Sequence, residues 1–455
     1  MKLELKKSIN QCSQFVCFRY PQSIMILWYL VLFPGRLGYD GAEAIRAIQN
    51  HESTNNWTSA YFLFLKTTSF NGKTIAITSL IGSLIFLYSV ELLIQTLHKH
   101  SISIKKYRFL IYINPIFGFS AVLVSHDVFL YSTVFLISVV YLKKTSKIES
   151  EGKLLRFVLI LSASMSFIGI LLILISTIGL LTQRHFKLSF IYFMVVITVY
   201  IFTNPLVNQT NNNREVYQVL ADIKCVTQVP SARISDEDWQ SLLKIASKNE
   251  WTNPLSCSDN QIIDPIAKKY SSSHLNRSEL IKIYFKLAAA NAPIVIGAHI
   301  QKSRNALPPP FFPRPDNMVD FDSKRALGLD SNLMLQSGPE VLHPSIDDIS
   351  VSSRPSILRS IEYLAILTSF LINISSWFWG WGGLWIYPVL IFTAISKEIL
   401  SIRWILPTLF LHLLIFLIGP LSIPRYTLST VMLGLIVIPV VLERVFKTIL
   451  DISKS

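Results

Sequence analysis

The sequence predicts an all-α polytopic membrane protein, and three observations lead to that prediction. Only 15% of the 455 residues are charged, whereas soluble domains carry about a quarter, and 51% are hydrophobic. Several apolar runs have about 15–25 residues, enough to cross a bilayer core of about 30 Å as a helix. These runs lack the strict alternation of polar and apolar residues that a transmembrane barrel shows. Counting the apolar runs and the basic loops between them gives a helix bundle of about ten spans.

The excess of basic residues predicts the orientation of these spans. The chain has 42 Lys+Arg and 28 Asp+Glu, a formal net charge of +14. The basic residues cluster in short loops, as they do on the cytoplasmic side of membrane proteins. Basic clusters at 99–108 and 143–156 flank the turn 125–127, which has no Lys or Arg. We therefore expect a multi-pass protein with a cytoplasmic N-terminus, the lipid bilayer as its surroundings and no nucleic-acid partner. The lack of retention signals predicts the plasma (inner) membrane.

Composition divides the chain into three predicted parts. Residues 1–203 form an N-terminal transmembrane module, whose first external loop is 34–74. Residues 204–357 are hydrophilic and predict a mainly helical extracytoplasmic insertion. Residues 358–455 hold the C-terminal spans. The stretch 356–376 fits either a full span or an interfacial helix, and the placement of basic residues favours the interfacial helix.

The insertion carries readable helix starts and two cysteines. Ser235 precedes three acids and predicts an N-cap, and Asn276 predicts a second. Pro293 lies where a third helix would begin. Cys225 and Cys257 are a disulfide candidate if this segment lies outside the cytoplasm.

Two acids stand near predicted membrane rims. Asp40, with Glu43 after it, follows the Pro34-Gly35 stop of the first apolar helix. Such a carboxylate in a long loop is usually only solvated. Asp127, next to His126, sits in a turn of a few residues between two apolar helices. Its simplest role is to cap the following helix, and this role is compatible with chemistry.

Arg425 is the third candidate, followed by Tyr426 at the predicted outer end of the last span. An outer arginine at the rim of an otherwise uncharged span runs against the topological bias of basic residues. It fits either a side chain that snorkels to the headgroups or a clamp for phosphate oxygens.

Three segments together carry a resemblance to a known family. They are PGRLGYDGAEAI (34–45), NPIFGFSAVLVSHDVFLYS (114–132) and PRYTLSTVMLGLIVIP (424–439). In order and predicted sidedness they resemble the GT-C membrane glycosyltransferases, with a hydrophilic insertion before the last spans.

The resemblance implies a GT-C-like helix bundle that transfers a sugar from a polyprenyl phosphate to a glycan, lipid or protein acceptor on the outer face. Asp40 and Asp127 take the places of the two catalytic acids of the external loops. Arg425 and Tyr426 would bind the donor phosphate, and Glu43 and His126 would orient acceptor or donor. No cofactor is required, although a divalent cation (Mg²⁺ or Mn²⁺) is allowed at Asp127. The first loop lacks an Asp-x-Asp and the chain lacks a WWD motif, so N-glycosylation of sequons is not supported.

Three other classes stay open at this point. A transporter or flippase of lipid-linked saccharides should show inverted halves and polar residues at mid-membrane. A polymerase of such saccharides should show arginine-rich outer loops. A membrane scaffold would leave the placement of Asp40 and Asp127 without a reason.

Overall fold

The computed structural model describes most of the chain, in segments separated by gaps. The described residues are 20–33, 35–37, 39–51, 57–100, 102–145, 152–181, 186–203, 214–253, 260–273, 275–303, 307, 382–396, 402–418 and 424–452. Cys257 and the predicted interfacial stretch 356–376 lie outside them, and so do the side chains of Asp40, Arg425 and Tyr426.

Helices dominate the described residues, which confirms the all-α prediction. The helices up to residue 203 are α1 (Ser23–Val31), α2 (Tyr39–Gln49), α3 (Ser59–Thr68), α4 (Ala76–Lys99), α5 (Arg108–Ile113), α6 (Pro115–Ala121), α7 (His126–Thr145), α8 (Lys153–Ser164), α9 (Phe167–Leu181) and α10 (Phe186–Thr203). The later ones are α11 (Arg214–Thr227), α12 (Asp236–Leu243), α13 (Lys248–Thr252), α14 (Asn260–Ser272), α15 (Arg277–Ala290), α16 (Ala292–Lys302), α17 (Ile386–Ile395), α18 (Leu406–Ile418) and α19 (Pro424–Ile452). Two short strands, β1 (Arg36–Leu37) and β2 (Leu123–Val124), pair in parallel.

Three of these helices are long and apolar enough to cross a membrane. They are α4, α7 over His126–Lys143, and α19 over Thr427–Asp451. Helices α15 and α16 pass the same test as a pair, but they meet at a bend of 98°. The described part of the chain therefore supports three or four spans, and this corrects the expectation of about ten.

Breaks within apolar runs explain the difference. Helix α1 has 9 residues, which rise only about 14 Å, half the thickness of a bilayer core. The apolar run 109–124, predicted as one span, is divided between α5 and α6 at Asn114–Pro115. The Asn114 side chain accepts a hydrogen bond from the N–H of Ile116 at 3.0 Å and so caps a new helix. Counting apolar residues does not detect such a break.

Helices α4 and α7 run in the same direction. Near the start of α4, the Ser79 hydroxyl donates to the carbonyl of Val122 at 2.9 Å, just before β2 and α7. At the other end, His100 follows α4 and hydrogen-bonds to the backbone of Leu142, near the end of α7. The two helices therefore share their starting end and their finishing end.

Helix α19 has the same direction. Its Glu443 accepts a hydrogen bond from the Tyr107 hydroxyl at 3.0 Å and pairs with Lys106 at 2.6 Å, in the 3-10 turn that follows α4. Pro424 begins α19 and precedes Glu443 by 19 residues (443 − 424). That separation is about 28 Å of helix, so α19 begins at the end where α4 and α7 begin.

The bundle thus has two chemically different ends. The strand end holds β1, β2 and the first turns of α4, α7 and α19. The basic end holds Lys106, Arg444 and Lys447. Helix α18 runs opposite to α19, since a short link joins its end to the start of α19 and His412 bonds to Thr430 across the pair. The last turn of α18 therefore lies at the strand end.

Residues 214–303 form a helical unit with a hydrophobic core of its own. The members of this core that are at most 1% exposed are Leu220, Ala221, Ile223, Leu242, Trp251, Leu280 and Leu287. Ser235 caps α12 and Asn276 caps α15, each through a bond from a backbone N–H three residues later. Pro293 lies in the first turn of α16. All three predicted helix starts are confirmed.

Lys224 is a fully buried lysine in this unit. Its ammonium donates to the carbonyls of Glu250, Trp251 and Asn253 at 2.6, 3.3 and 3.4 Å. Burial lowers the pKa of Lys224. Because these carbonyls lie at the end of α13, the lysine joins α11 to α13 and satisfies helix-end acceptors.

The turn between α1 and β1 depends on Gly35. Its φ is +120°, which side-chain-bearing residues rarely adopt. A Cβ there would lie 2.5 Å from the Cβ of Ser79 and 3.3 Å from the carbonyl oxygen of Val122. The close approach of this turn to α4 and β2 therefore requires glycine.

Replacing Gly35 with alanine should destabilise the protein by about 1–3 kcal/mol, because strain in φ adds to a steric clash. Thermal unfolding of the purified full chain in detergent should show a lower Tm. Gly297→Ala is the matched control, because a Cβ at Gly297 in α16 meets nothing within 4 Å. Equal Tm values for the two variants would contradict this account of the turn.

Candidate functional site

The strand pair brings the two predicted acids into register. Arg36 pairs with Leu123, and Leu37 pairs with Val124, in parallel. Asp40 follows Leu37 by three residues, and Asp127 follows Val124 by three. Each acid is the second residue of the helix that follows its strand, α2 or α7. Paired parallel strands lie about 4.8 Å apart, so the backbone places both acids at the same edge of this small sheet.

Asp127 is held by the residue before α7. Its side chain is 1% exposed. The Ser125 hydroxyl donates to Asp127 Oδ2 at 2.8 Å, and Ser125 Oγ also accepts from the Asp127 N–H at 3.2 Å. Ser125 therefore supplies the capping bond that the sequence assigned to Asp127, and it fixes the carboxylate in the first turn of α7.

His126 lies beside this carboxylate and under an aromatic cover. Its Nε2 is 3.5 Å from Asp127 Oδ1. The Tyr61 ring of α3 meets the imidazole edge to face, with centroids 5.8 Å apart. Tyr61 is 1% exposed, and Thr58 caps its helix by accepting the Tyr61 N–H at 3.2 Å. Helix α3, from the first predicted external loop, therefore covers the His126–Asp127 pair.

Asp40 and Glu43 lie on one face of α2, because residues three apart are neighbours on a helix. Ala44, Ile45 and Ile48 of the same helix are buried. Glu43 is half-buried. The Asp40 side chain lies outside what the structure describes, so only its backbone position is established.

Arg425 and Tyr426 occupy the first turn of α19, at the strand end. Their side chains lie outside the described residues. The next residues are polar and buried: Thr427, Ser429 and Thr430 are all 0% exposed. His412 of α18 bonds to the Thr430 hydroxyl at 2.7 Å. The start of α19 is thus lined with hydroxyl groups, and it lies at the same end of the bundle as Asp40 and Asp127.

The predicted disulfide joins Cys225 to Cys257. Cys225 in α11 is disulfide-bonded and 4% exposed. Cys257 lies outside the described residues, so the pairing of these two cysteines stays a prediction.

Within the described residues, no three His, Cys, Asp or Glu side chains converge as a metal-ligand set. The divalent cation allowed at Asp127 stays a prediction.

Sequence reasoning missed Ser125, Tyr61 and the strand pair. Ser125 was readable, since a serine directly before a helix is a usual N-cap. Tyr61 and the strand pair depend on contacts between distant segments, for which the sequence carries no local pattern.

Ser125→Ala should destabilise the protein by about 0.5–2 kcal/mol, because a buried carboxylate and a helix-start N–H both lose a partner. Ser132→Ala, two turns along α7, is the matched control. Ser132 is also buried, but its hydroxyl bonds only to the carbonyl of Val128 in its own helix. Thermal unfolding should therefore show a larger loss of Tm for Ser125→Ala. A larger loss for Ser132→Ala would contradict the role given to Ser125.

The chain matches no family model, no curated protein and no solved structure in comparisons with all three.

Proposed function

We propose that the chain is a membrane glycosyltransferase that moves a sugar from a polyprenyl-phosphate carrier to an extracytoplasmic glycan, lipid or protein acceptor. The observation that supports it best is the β1–β2 register, which aligns Asp40 with Asp127 at one edge. Two acids from separate loops, held at one end of a helix bundle, suit a reaction between a lipid-held donor and a hydroxyl acceptor.

The proposed chemistry is a single inverting displacement. Asp40 removes the proton of the acceptor hydroxyl as its oxygen attacks the anomeric carbon. The bond between that carbon and the phosphate oxygen breaks, and the electron pair leaves with the lipid phosphate. The phosphate is a weak base, so no strong general acid is required at the leaving group.

Asp127 is assigned to positioning the acceptor or donor, together with His126 and Glu43. The hydrogen bond from Ser125 and the contact of Tyr61 with His126 favour one fixed geometry for this pair. Fixed geometry lowers the barrier, because the reacting groups need not be ordered at the moment of reaction.

Arg425 and Tyr426 are assigned to the departing phosphate. Their place in the first turn of α19 supports this, because the N-terminal end of a helix carries partial positive charge and unpaired N–H groups. A guanidinium adds forked hydrogen bonds to phosphate oxygens.

The two ends of the bundle suggest its orientation in the plasma membrane. Under the positive-inside rule the basic end faces the cytoplasm, and the strand end faces outward. The insertion packs on α18 near its last turn, at the same outward end. A GT-C-like bundle with a cytoplasmic N-terminus and a catalytic loop at 34–74 fits this arrangement.

A transporter of lipid-linked saccharides is the second candidate. The buried His412–Thr430 pair between two apolar helices favours it, since ionisable groups within spans are often functional. The two functions differ in a simple respect: a transporter would move the donor across the bilayer without breaking the sugar–phosphate bond.

Asp40→Asn should lower sugar transfer by about 10²- to 10⁴-fold, because an amide cannot take the acceptor proton. The measurement is transfer of labelled sugar from a polyprenyl-phosphate donor in membranes that hold equal amounts of each variant. Asp236→Asn, an exposed acid in the first turn of α12, is the matched control and should keep full activity. Full activity of Asp40→Asn would remove Asp40 from the role of base.

Arg425→Ala should raise the KM for the lipid-linked donor by about 10- to 100-fold, the effect of losing hydrogen bonds to a charged group. Arg444→Ala is the matched control. Arg444 lies in the same helix at the basic end and donates to the carbonyl of Ile395 at 2.9 Å. Donor dependence unaltered by Arg425→Ala would leave only the snorkelling role for that arginine.

A further inference from the structure

His299 connects the insertion to the helix bundle. It lies on α16, and its Nδ1 is 2.8 Å from the carbonyl oxygen of Phe416 near the end of α18. Its Nε2 is 3.0 Å from Oδ2 of Asp222 on α11. The imidazole also packs beside the Phe416 ring, with centroids 5.9 Å apart. One side chain therefore joins the insertion core to α18.

The hydrogen-bond inventory fixes the number of protons in this contact. A backbone carbonyl only accepts, so Nδ1 must carry a hydrogen. An ionised carboxylate also only accepts, so Nε2 must carry one as well, and the ring is then an imidazolium. If instead the carboxyl of Asp222 held the proton, the pair would contain the same total. The contact thus binds one proton more than a neutral imidazole and a free carboxylate do.

The surroundings of Asp222 favour the charged form of the pair. Asp222 is 0% exposed, and its Oδ1 accepts from the side-chain amide of Gln218 at 3.0 Å. Its Oδ2 also accepts from the Tyr284 hydroxyl of α15 at 3.2 Å. A carboxylate that accepts several hydrogen bonds is stabilised in its ionised state. The extra proton then resides on His299.

Three other ionisable groups on the neighbouring elements have partners of their own. His412, one turn before Phe416 on α18, bonds to Thr430. Lys224 on α11 donates to the carbonyls at the end of α13. Lys286 on α15 pairs with Asp238 at 3.1 Å. Among the described contacts, Asp222 of α11 faces His299 directly, and Tyr284 of α15 bonds to the same carboxylate.

We propose that the Asp222–His299–Phe416 contact is a pH-responsive latch that holds the insertion on α18 at the strand end. Docking binds a proton, so acidic and neutral pH favour the docked state, and rising pH weakens it. One linked proton changes the docking equilibrium by up to about tenfold per pH unit. The latch goes beyond the proposed sugar transfer and does not depend on it.

The first test reads the imidazole directly in the full chain. Nitrogen NMR of ¹⁵N-histidine-labelled protein distinguishes imidazolium from both neutral tautomers, and His299→Phe identifies the signal. At about pH 7.5, where an unperturbed imidazole is mostly neutral, we expect both nitrogens of His299 to be protonated. A neutral His299 beside an ionised Asp222 at that pH would overturn the proposal.

The second test measures docking by hydrogen–deuterium exchange of α16 and of the end of α18, corrected for the pH dependence of intrinsic exchange. In the wild type, protection should fall by about tenfold or more between about pH 6 and about pH 9. Asp222→Asn should keep the protection and lose its pH dependence, because an amide N–H can donate to a neutral imidazole while Nδ1–H still reaches Phe416. His299→Phe should show low protection at every pH.

His98→Phe is the control variant. His98 lies near the last residue of α4, at the basic end of the bundle and beside Ile102, whereas the latch lies at the strand end. It should leave the pH profile unchanged. A wild-type profile that is flat, or that is shared by Asp222→Asn, would overturn the latch. Sugar transfer is not measured in either experiment, so failure of the latch leaves the proposed function untouched.

Discussion

The pairing of two residues of β1 with two residues of β2 is the constraint on which the site depends. These strands are too short to be stable alone. They persist because Gly35 allows the first turn to touch α4, and because Ser79 holds the carbonyl of Val122. Helices α2 and α7 then begin side by side. Everything assigned to Asp40 and Asp127 follows from this shared starting edge.

The parallel helices of the bundle place that edge at one end of the molecule. Helices α4, α7 and α19 run the same way, so their starts, where polar residues gather, are separated from a basic end. The insertion contacts α18 near its last turn, and thus it lies at the strand end. A reaction between a membrane-held donor and an external acceptor needs this kind of one-sided arrangement, and so does a latch that responds to the pH of one compartment.

Local chemistry could be predicted from the sequence, and tertiary contacts could not. Ser235, Asn276 and Pro293 mark helix starts because capping depends on residues within one turn. The number of spans was overestimated, since hydropathy does not register a break such as Asn114–Pro115. Strands of two residues are too short to show an alternating pattern, so the pairing of Leu37 with Val124 could not be predicted. His299 and Asp222 are 77 residues apart, and only folding brings them together.

Asp40, Asp127 and the start of α19 are proposed to form one site for a lipid-linked sugar. An experimental structure with a non-hydrolysable polyprenyl-phosphate sugar analogue and an acceptor would test this most directly. We expect the acceptor hydroxyl within hydrogen-bonding reach of Asp40, about 3 Å, with the analogue's phosphate against Arg425. An analogue bound at the basic end, or carboxylates of Asp40 and Asp127 that open into separate cavities, would contradict the account.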